Sequence, residues 1–413
     1  MLNFEKFELQ NGLKVIVNTD TTTPLVAMNI LYKVGAKNEQ ADKTGFAHLF
    51  EHLMFGGSVN IPNYDGPLQM AGGENNAFTN NDFTNYYLTI PSQNIETAFW
   101  LESDRMLNLA FSEKSLEVQR QVVVEEFRQR YLNQPYGDAW LKLRPLAYNV
   151  HPYQWPTIGK EISHIENARL EDVKEFFNKY YHPANAILSL SGNISIERAK
   201  DLTEKWFGPI PAKEVFKSQI KQEPKQEAKK FMEVFSDVPF DALYKTWHCC
   251  ARNDHDFHAT DLMTDLLSGG KSSRLYNVLV KEQKLFSNIN AYMMGDLDPS
   301  LVVAEGKLYP GINLQDAEKA LDEEILKLTS GEISNREIKK VVNKAESSIV
   351  FGEINHATRA LHLAYYEMLG DVNLVNRQVE ELRKLDEKKI QTAAEKIFSE
   401  SNSSVLYYRC NKN

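Results

Sequence analysis

The sequence lacks the features that mark disulfide-rich, membrane-spanning and nucleic-acid-binding proteins. It has three cysteines in 413 residues, too few for a disulfide framework, so we expect reduced thiols. No apolar run approaches the ~18 residues of a membrane-spanning helix, so we expect no membrane span. The net charge of −9 and the absence of a basic stripe argue against a nucleic-acid partner.

The N-terminus also lacks the pattern of a targeting segment. Met-Leu-Asn-Phe-Glu-Lys contains neither the apolar core of a signal peptide nor a basic amphipathic presequence. We therefore expect a cytoplasmic protein, although a periplasmic or organellar protein that has lost its leader would look the same. The hydrophobic content of 42% is that of a globular chain, and the length suits two domains of about 200 residues each.

The stretch TGFAHLFEHLMFGG, residues 44–57, predicts one short helix around which the chain is organised. Thr44 can serve as its N-cap, and the glycine pair at its end supplies a left-handed exit. His48, Glu51 and His52 fall at i, i+3 and i+4, so their side chains share one face. The remaining positions are apolar almost all the way round, which is typical of a buried helix.

This triplet has two interpretations. Two imidazoles one turn apart can bind a single Zn2+, while the glutamate between them stays available as a base. The order His-x-x-Glu-His is the inverzincin form of the zinc-protease helix. Alternatively, His48 and His52 are core histidines satisfied by hydrogen bonds, and a five-residue pattern alone does not decide between the two.

Strands and helices are interleaved without regular βαβ spacing, which predicts an α+β fold with helices packed on mainly antiparallel sheets. A proline-rich and charged region, 209–230, reads as a linker between domains. We therefore predict an N-terminal domain at 1–212, a linker at 213–229 and a C-terminal domain at 230–413.

The second half of the chain repeats the first. Residues 48–57 can be laid on 261–270, and the apolar frame survives in the second copy. The second copy carries Asp261, Thr264 and Asp265 in place of the two histidines and the glutamate. Because packing would tolerate either set, the triplet in the first copy indicates chemistry.

A soft-metal site around Cys249 and Cys250 is a weaker possibility, since histidines flank them on both sides. Residues 243–251 read as a strand, in which adjacent side chains face opposite sides, so the two thiols are poorly placed to share an ion. A buried strand is the preferred interpretation.

A catalytic zinc usually takes three protein ligands and one water, so a further ligand is needed. The predicted helix 112–132 contains two acids, Glu125 and Glu126. Glu126 shares a stripe with Gln119 and two valines, whereas Glu125 points about 100° away by the helical period. Taken alone, either acid can equally be a solvated surface residue.

Four features together resemble the pitrilysin or insulinase (M16, inverzincin) family of zinc metallopeptidases: the His-x-x-Glu-His helix, the run GGENNAFT at 72–79, the segment RQVVVEE at 120–126, and the duplication. The chain is most similar to the short two-domain branch, which includes the mitochondrial processing peptidase and bacterial homologues. The resemblance implies two homologous domains arranged as two halves of a chamber.

The resemblance also implies residue roles. His48, His52 and Glu126 would bind one Zn2+ per chain, and Glu51 would act as the general base of a peptidase. The family has a further glutamate where this chain has Gln119. The Gln119 amide could still form a hydrogen bond behind the metal ligands, but it would carry no charge. The implied activity is zinc-dependent hydrolysis of unfolded or extended peptides.

The substrate would add as a strand to a free sheet edge at Asn76, Ala77 and Phe78. Active relatives carry an Arg and a Tyr seven residues apart in the second domain, where this chain has Val280 and Ser287. We therefore expect a homo- or heterodimer with another two-domain family member that supplies this pair. The alternative is a non-catalytic scaffold or peptide-binding subunit with the same fold.

Overall fold

The computed structural model describes residues 1–411 of the chain, and they divide into two compact units. Unit 1 consists of residues 1–127, 156–220 and 350–377. Unit 2 consists of residues 128–155, 221–349 and the described residues from 378 onward. Each unit therefore includes one segment from the other half of the sequence.

This division differs from the predicted bounds 1–212 and 230–413, which follow the sequence repeat and cut the chain once. The difference arises because contacts between segments distant in sequence define the units. The predicted linker, residues 213–229, forms neither helix nor strand.

The sheet of unit 1 has six strands: β1 Glu5–Glu8, β2 Lys14–Thr19, β3 Leu25–Tyr32, β4 Glu74–Thr79, β5 Thr84–Pro91 and β6 Ala186–Gly192. Their order is β1-β2-β6-β3-β5-β4, and all neighbours are antiparallel except β2 and β6. Every residue of β6 is buried, because this strand lies inside the sheet. The strand β4 ends the sheet on one side.

The sheet of unit 2 has five strands: β7 Lys230–Ser236, β8 Ala242–His248, β9 Phe286–Met293, β10 Leu301–Leu308 and β11 Ser403–Cys410. Their order is β7-β11-β8-β10-β9, with β7 and β11 as the parallel pair. These strands take the places of β2, β6, β3, β5 and β4 in unit 1. The two units thus share one topology, which confirms the predicted α+β fold with two repeated, mainly antiparallel sheets.

The described helices, in chain order, are α1 Phe46–Met54, α2 Asp65–Met70, α3 Ile95–Asn108, α4 Glu113–Phe127, α5 Ala139–Ala147, α6 Ile162–Glu166, α7 Leu170–Tyr180, α8 Ile196–Phe207, α9 Phe257–Ser268, α10 Leu314–Thr329, α11 Asn335–Gly352, α12 His356–Met368, α13 Leu374–Arg383 and α14 Glu387–Ile397. Two π-helical segments, Arg128–Leu132 and Tyr276–Glu282, accompany them. None of these helices is both long and apolar enough to cross a membrane.

Side-chain caps determine where several of the helices begin. Ser195 accepts a hydrogen bond from the Arg198 amide at the start of α8. Asn313, Asn355 and Asp386 do the same for α10, α12 and α14. Each cap satisfies an amide that has no partner within its helix, and a typical cap contributes about 1 kcal/mol.

The segment 350–377 joins unit 1 through α12. Leu363 of α12 lies in one buried apolar cluster with Leu31 of β3 and Ile187 of β6. Glu367, also on α12, accepts hydrogen bonds at 2.8 Å from a lysine of β1 and a lysine of β2. Apolar packing and the ion pairs of the buried Glu367 with two partly exposed lysines together fix α12 to the sheet.

Candidate metal centre

Helix α1 presents three ionisable side chains on one face and apolar side chains elsewhere. Its buried residues are Phe46, Ala47, Leu49, Phe50, Leu53 and Met54. His48, Glu51 and His52 occupy other positions and keep part of their surface accessible. The helical period thus separates the packing face from the polar face, as predicted.

The start of α1 differs from the prediction. Gly45, with φ 89°, occupies the N-cap position in place of Thr44. The buried carboxylate of Glu39 accepts hydrogen bonds from the amides of Gly45 at 2.9 Å and Ala47 at 2.8 Å. The Thr44 hydroxyl lies 2.7 Å from Nδ1 of His164 instead. A carboxylate from an earlier loop therefore caps this helix. Its negative charge also interacts favourably with the positive end of the helix dipole.

The structure brings Glu126 of α4 to the two histidines. Its Oε2 lies 3.7 Å from Nε2 of His48 and 3.4 Å from Nε2 of His52. Among the described residues these form the one group of three His, Cys, Asp or Glu whose candidate ligand atoms all lie within 4.8 Å of one another. Two atoms bound tetrahedrally to zinc at about 2.1 Å lie roughly 3.4 Å apart, so the spacing fits one ion.

The exposure of the three side chains also fits a catalytic metal site. His48, His52 and Glu126 keep 12%, 24% and 17% of their side-chain surface accessible. A structural zinc is closed off by four protein ligands, whereas a catalytic zinc keeps a position open to water and substrate. Two imidazoles and one carboxylate, partly open to solvent, form a donor set of the catalytic type.

Glu51 lies beside this group and makes a different contact. Its Oε2 accepts a 2.7 Å hydrogen bond from the Thr79 hydroxyl at the end of β4. The carboxylate is therefore oriented by the edge strand and is not one of the three clustered ligand groups. Thr79 belongs to the run at 72–79, but its contact with Glu51 was not predicted, because a contact between a helix and a strand 28 residues later leaves no local signal.

Glu125 and Gln119 lie on α4 but outside the cluster. Glu125 is exposed, whereas Glu126 is half-buried. Gln119 is half-buried two helical turns before Glu126. Its role behind the metal ligands stays a prediction.

The predicted substrate-binding residues lie on β4, at the edge of the sheet. The side-chain oxygen of Asn76 accepts a 2.8 Å hydrogen bond from the Ala77 amide. The Asn80 amide bonds to the Phe83 carbonyl at the turn into β5. Because backbone groups alternate along a strand, the Ala77 amide, three residues earlier, faces the free edge. Phe78 points to the sheet face that carries α12, where its ring packs against Phe83.

Two buried tyrosines lie near Glu51. Burial raises the pKa of Tyr86 and of Tyr181, and the negative charge of Glu51 contributes to both increases. These hydroxyls therefore stay protonated at neutral pH.

The matching helix of unit 2 has no such group. Asp261, Thr264 and Asp265 lie on α9, and Lys344 of α11 places its Nζ 3.3 Å from Oδ1 of Asp265. Burial, together with the charge of Asp265, raises the pKa of Asp261. A lysine ammonium thus provides the positive charge beside these carboxylates.

The family's Arg and Tyr positions carry short side chains in the structure as well. Val280 packs against the apolar core of unit 2, and Ser287 donates a 3.1 Å hydrogen bond to the Lys307 carbonyl. The nearby Arg274 donates to Glu337 at 2.9 Å, which is a structural contact.

The cysteine pair lies beyond the end of strand β8, although the predicted strand 243–251 included both residues. Strand β8 ends at His248, so the prediction of a strand through residue 251 is wrong at its last three positions. Burial raises the pKa of Cys249, and a hydrogen bond with Cys249 lowers the pKa of Cys250. Among the described residues, these thiols belong to no group of three metal-binding side chains.

Two sequence profiles of one family match the chain. The profile described as "Insulinase (Peptidase family M16)" matches residues 14–154, and "Peptidase M16 inactive domain" matches residues 167–345. The chain is 29% identical to the "Zinc protease PqqE" of Helicobacter pylori, over 98% of this chain and 92% of that protein. It is 22% identical to the "Uncharacterized zinc protease YmxG" of Bacillus subtilis, over 97% of both chains.

Solved structures agree with this. The crystal structure of a protease from Helicobacter pylori matches with a TM-score of 0.94 and 28% identity, covering 99% of this chain and 100% of that chain. A Pseudomonas fluorescens structure, named as a peptidase M16 inactive domain, has the same fold, with a TM-score of 0.91 at 16% identity over 100% of this chain and 99% of that chain. The chain therefore belongs to the M16 peptidase family, in its short two-domain branch.

Proposed function

We propose that this chain is a zinc-dependent endopeptidase that hydrolyses extended peptides. The observation that carries the proposal is the spacing of three groups, since Oε2 of Glu126 lies within 3.7 Å of Nε2 of both His48 and His52. Glu51 lies on the same helix face, turned toward the edge strand by Thr79. The names of the relatives as zinc proteases support the same assignment.

The proposed roles follow from the positions of the side chains. One zinc ion held by His48, His52 and Glu126 would supply Lewis-acid chemistry, polarising a water molecule and the peptide carbonyl. Glu51 accepts the proton of the attacking water and passes it to the leaving amine nitrogen. The Thr79 hydroxyl holds the Glu51 carboxylate in place for both transfers.

The edge of β4 would hold the substrate. Ala77 turns its amide toward the free edge, and Asn75 and Thr79 share this orientation because backbone groups alternate with a period of two. A peptide that pairs with these groups must be extended, so folded segments are excluded. To pair at Ala77 the peptide displaces the Asn76 side chain from the amide.

The second domain supplies no Arg and Tyr pair at the positions that resemble those of active relatives. We therefore also propose that the chain acts in a dimer whose other two-domain member provides donors for the developing oxyanion. The competing assignment is a peptide-binding subunit that does not hydrolyse peptides. It is supported by the same observation, the presence of Val280 and Ser287 at the Arg and Tyr positions.

The test is hydrolysis of a quenched fluorogenic peptide by the zinc-loaded chain, alone and with a candidate partner chain. We expect the change Glu51→Gln to retain zinc and to lower kcat at least about 100-fold, the usual size of a lost general base. Glu125→Gln, on the exposed side of α4, is the matched control and should keep full activity. Full activity in Glu51→Gln would refute the role of Glu51. Binding without hydrolysis by the unchanged chain, under both conditions, would favour the peptide-binding subunit.

A further inference from the structure

A cleft lies beside β4, on the sheet face that carries α12. Its sheet side is formed by Glu74, Asn76 and Tyr87, and its other side by residues 354–357 at the start of α12. The cleft has a volume of about 500 Å3, within the usual range of ligand sites. We call it the β4 cleft.

The β4 cleft and the candidate metal centre lie on opposite faces of the same edge strand. Thr79 points to the α1 face, where it contacts Glu51. Phe78 points to the α12 face, where it packs in the cluster that contains Leu363. Because side chains alternate along a strand, Asn76 and Glu74 also point to the α12 face.

A peptide paired with β4 obeys the same alternation. Every second side chain of such a peptide would point to the α12 face, and those near Asn76 and Glu74 would enter the β4 cleft. These residues precede Thr79 by three and five positions, which is roughly 10–17 Å along a strand. The cleft would therefore receive a substrate side chain three to five residues from the bond that is cut.

Apolar residues line part of the cleft, and Ile354 is more exposed than Leu25, the other large aliphatic residue of the lining. Ile354 is 66% exposed, and its side chain faces an open volume. Burying an exposed aliphatic side chain against another apolar group is favourable, whereas Glu74 at the sheet side disfavours an acidic group. The occupant that fits is an aliphatic or aromatic side chain of the extended substrate.

We infer that the β4 cleft is a substrate subsite, in which Ile354 selects an apolar residue three to five positions from the scissile bond. The inference rests on the proposed function, because it takes the bound chain to be the peptide substrate. It adds a specificity determinant remote from the metal centre.

The test measures peptide binding without hydrolysis, in the Glu51→Gln background loaded with zinc. The probes are fluorescent peptides with six residues on each side of the scissile bond, with leucine or serine at the third to fifth positions on both sides. A peptide with two residues on each side serves as the short probe. Fluorescence anisotropy reports the affinity of each.

We expect Ile354→Ser to weaken binding of the leucine peptide about tenfold, a usual size for lost contacts in an apolar subsite. The same change should leave the serine peptide and the short peptide unaffected, and Ile354→Leu should restore binding. The matched control is Leu107→Ser, which replaces a 44% exposed leucine on α3 of unit 1. This change should leave the affinity for all three peptides unaltered.

Equal affinities of Ile354→Ser and the parent protein for the leucine peptide would overturn the inference. So would a loss of affinity for the short peptide as large as that for the leucine peptide. The inference would also fail if the parent protein did not detectably bind the leucine peptide. If Ile354→Ser turned a dimer into a monomer while peptide binding stayed the same, the surface would be a self-interface and the inference would fail. If the cleft distinguished the leucine peptide from the serine peptide but the unchanged chain never hydrolysed peptides, the proposed function would be refuted and the inference about the cleft would stand.

Discussion

Glu125 and Glu126 are neighbours on α4 with different surroundings. Glu125 is exposed, whereas Glu126 is half-buried with its carboxylate 3.4 Å from His52. One residue corresponds to a 100° rotation about the helix axis, which is enough to place one acid beside the two histidines and its neighbour on the exposed side of the helix.

This difference predicts the effect of two matched substitutions on zinc content. Glu126→Gln removes a charged ligand and should lower the zinc affinity at least about tenfold. A loss of that size is typical even when the substituted residue only hydrogen-bonds to a metal ligand. Glu125→Gln should leave one zinc per chain. The measurement is metal analysis after dialysis against a weak chelator, and the opposite ranking of the two variants would exchange their roles.

Much of the candidate site could be predicted at the residue scale. The spacing of His48, Glu51 and His52 placed them on one helix face, and the resemblance to M16 peptidases selected Glu126. The contacts of Thr79 and Glu39 could not be predicted, because both depend on how segments distant from α1 pack against it. Periodicity describes one helix at a time and carries no information about its neighbours.

At the scale of elements, α1 depends on a cap from outside the helix. Both oxygens of the Glu39 carboxylate accept amide hydrogen bonds from the first turn. A negative charge at this end also interacts favourably with the helix dipole.

We expect Glu39→Gln to destabilise the first turn of α1 by about 1 kcal/mol, because an amide has one acceptor oxygen and no charge. The measurement is hydrogen exchange at the Gly45 and Ala47 amides, which should become faster. Asp42→Asn, an exposed acid in the same loop, is the control and should leave both rates unchanged. Slow exchange in Glu39→Gln would show that the carboxylate is not needed for the cap.

Helix α9 of unit 2 shows what the repeat retains and what it loses. Its apolar face is buried in the same manner as that of α1, so the packing pattern alone predicted both helices. The ion pair between Lys344 and Asp265 was not predicted, since the two residues lie on different helices. The end of β8 was also mispredicted, because an apolar run continues past the point where the strand stops.

For the whole molecule, the repeated strand order follows from the duplication seen in the sequence. The duplication does not predict that residues 128–155 belong to unit 2 and residues 350–377 to unit 1. The segment 350–377 belongs to unit 1 because α12 packs on β3 and β6. Its local sequence predicts an amphipathic helix, but nothing in it specifies which sheet the helix covers.

A fragment of residues 1–220 tests this arrangement. Without α12, apolar residues such as Leu31 and Ile187 lose their buried partners, so we expect a fragment without cooperative unfolding that binds a hydrophobic dye. Adding a peptide of residues 350–377 in excess should restore a cooperative thermal transition measured by near-UV circular dichroism. A cooperative transition in the fragment alone, unchanged by the peptide, would contradict the prediction.

The place of α12 in unit 1 also constrains how the newly made protein matures in the cell. Ribosomes release the chain from its N-terminus at roughly 5–20 residues per second, so on the order of ten seconds separate the emergence of β6 from that of α12. Throughout that interval the nascent first sheet has one uncovered apolar face. Folding of the candidate zinc-binding unit is thereby coupled to the synthesis of α12, and a product that terminates before α12 keeps this apolar face exposed and is a natural client for chaperones and degradation.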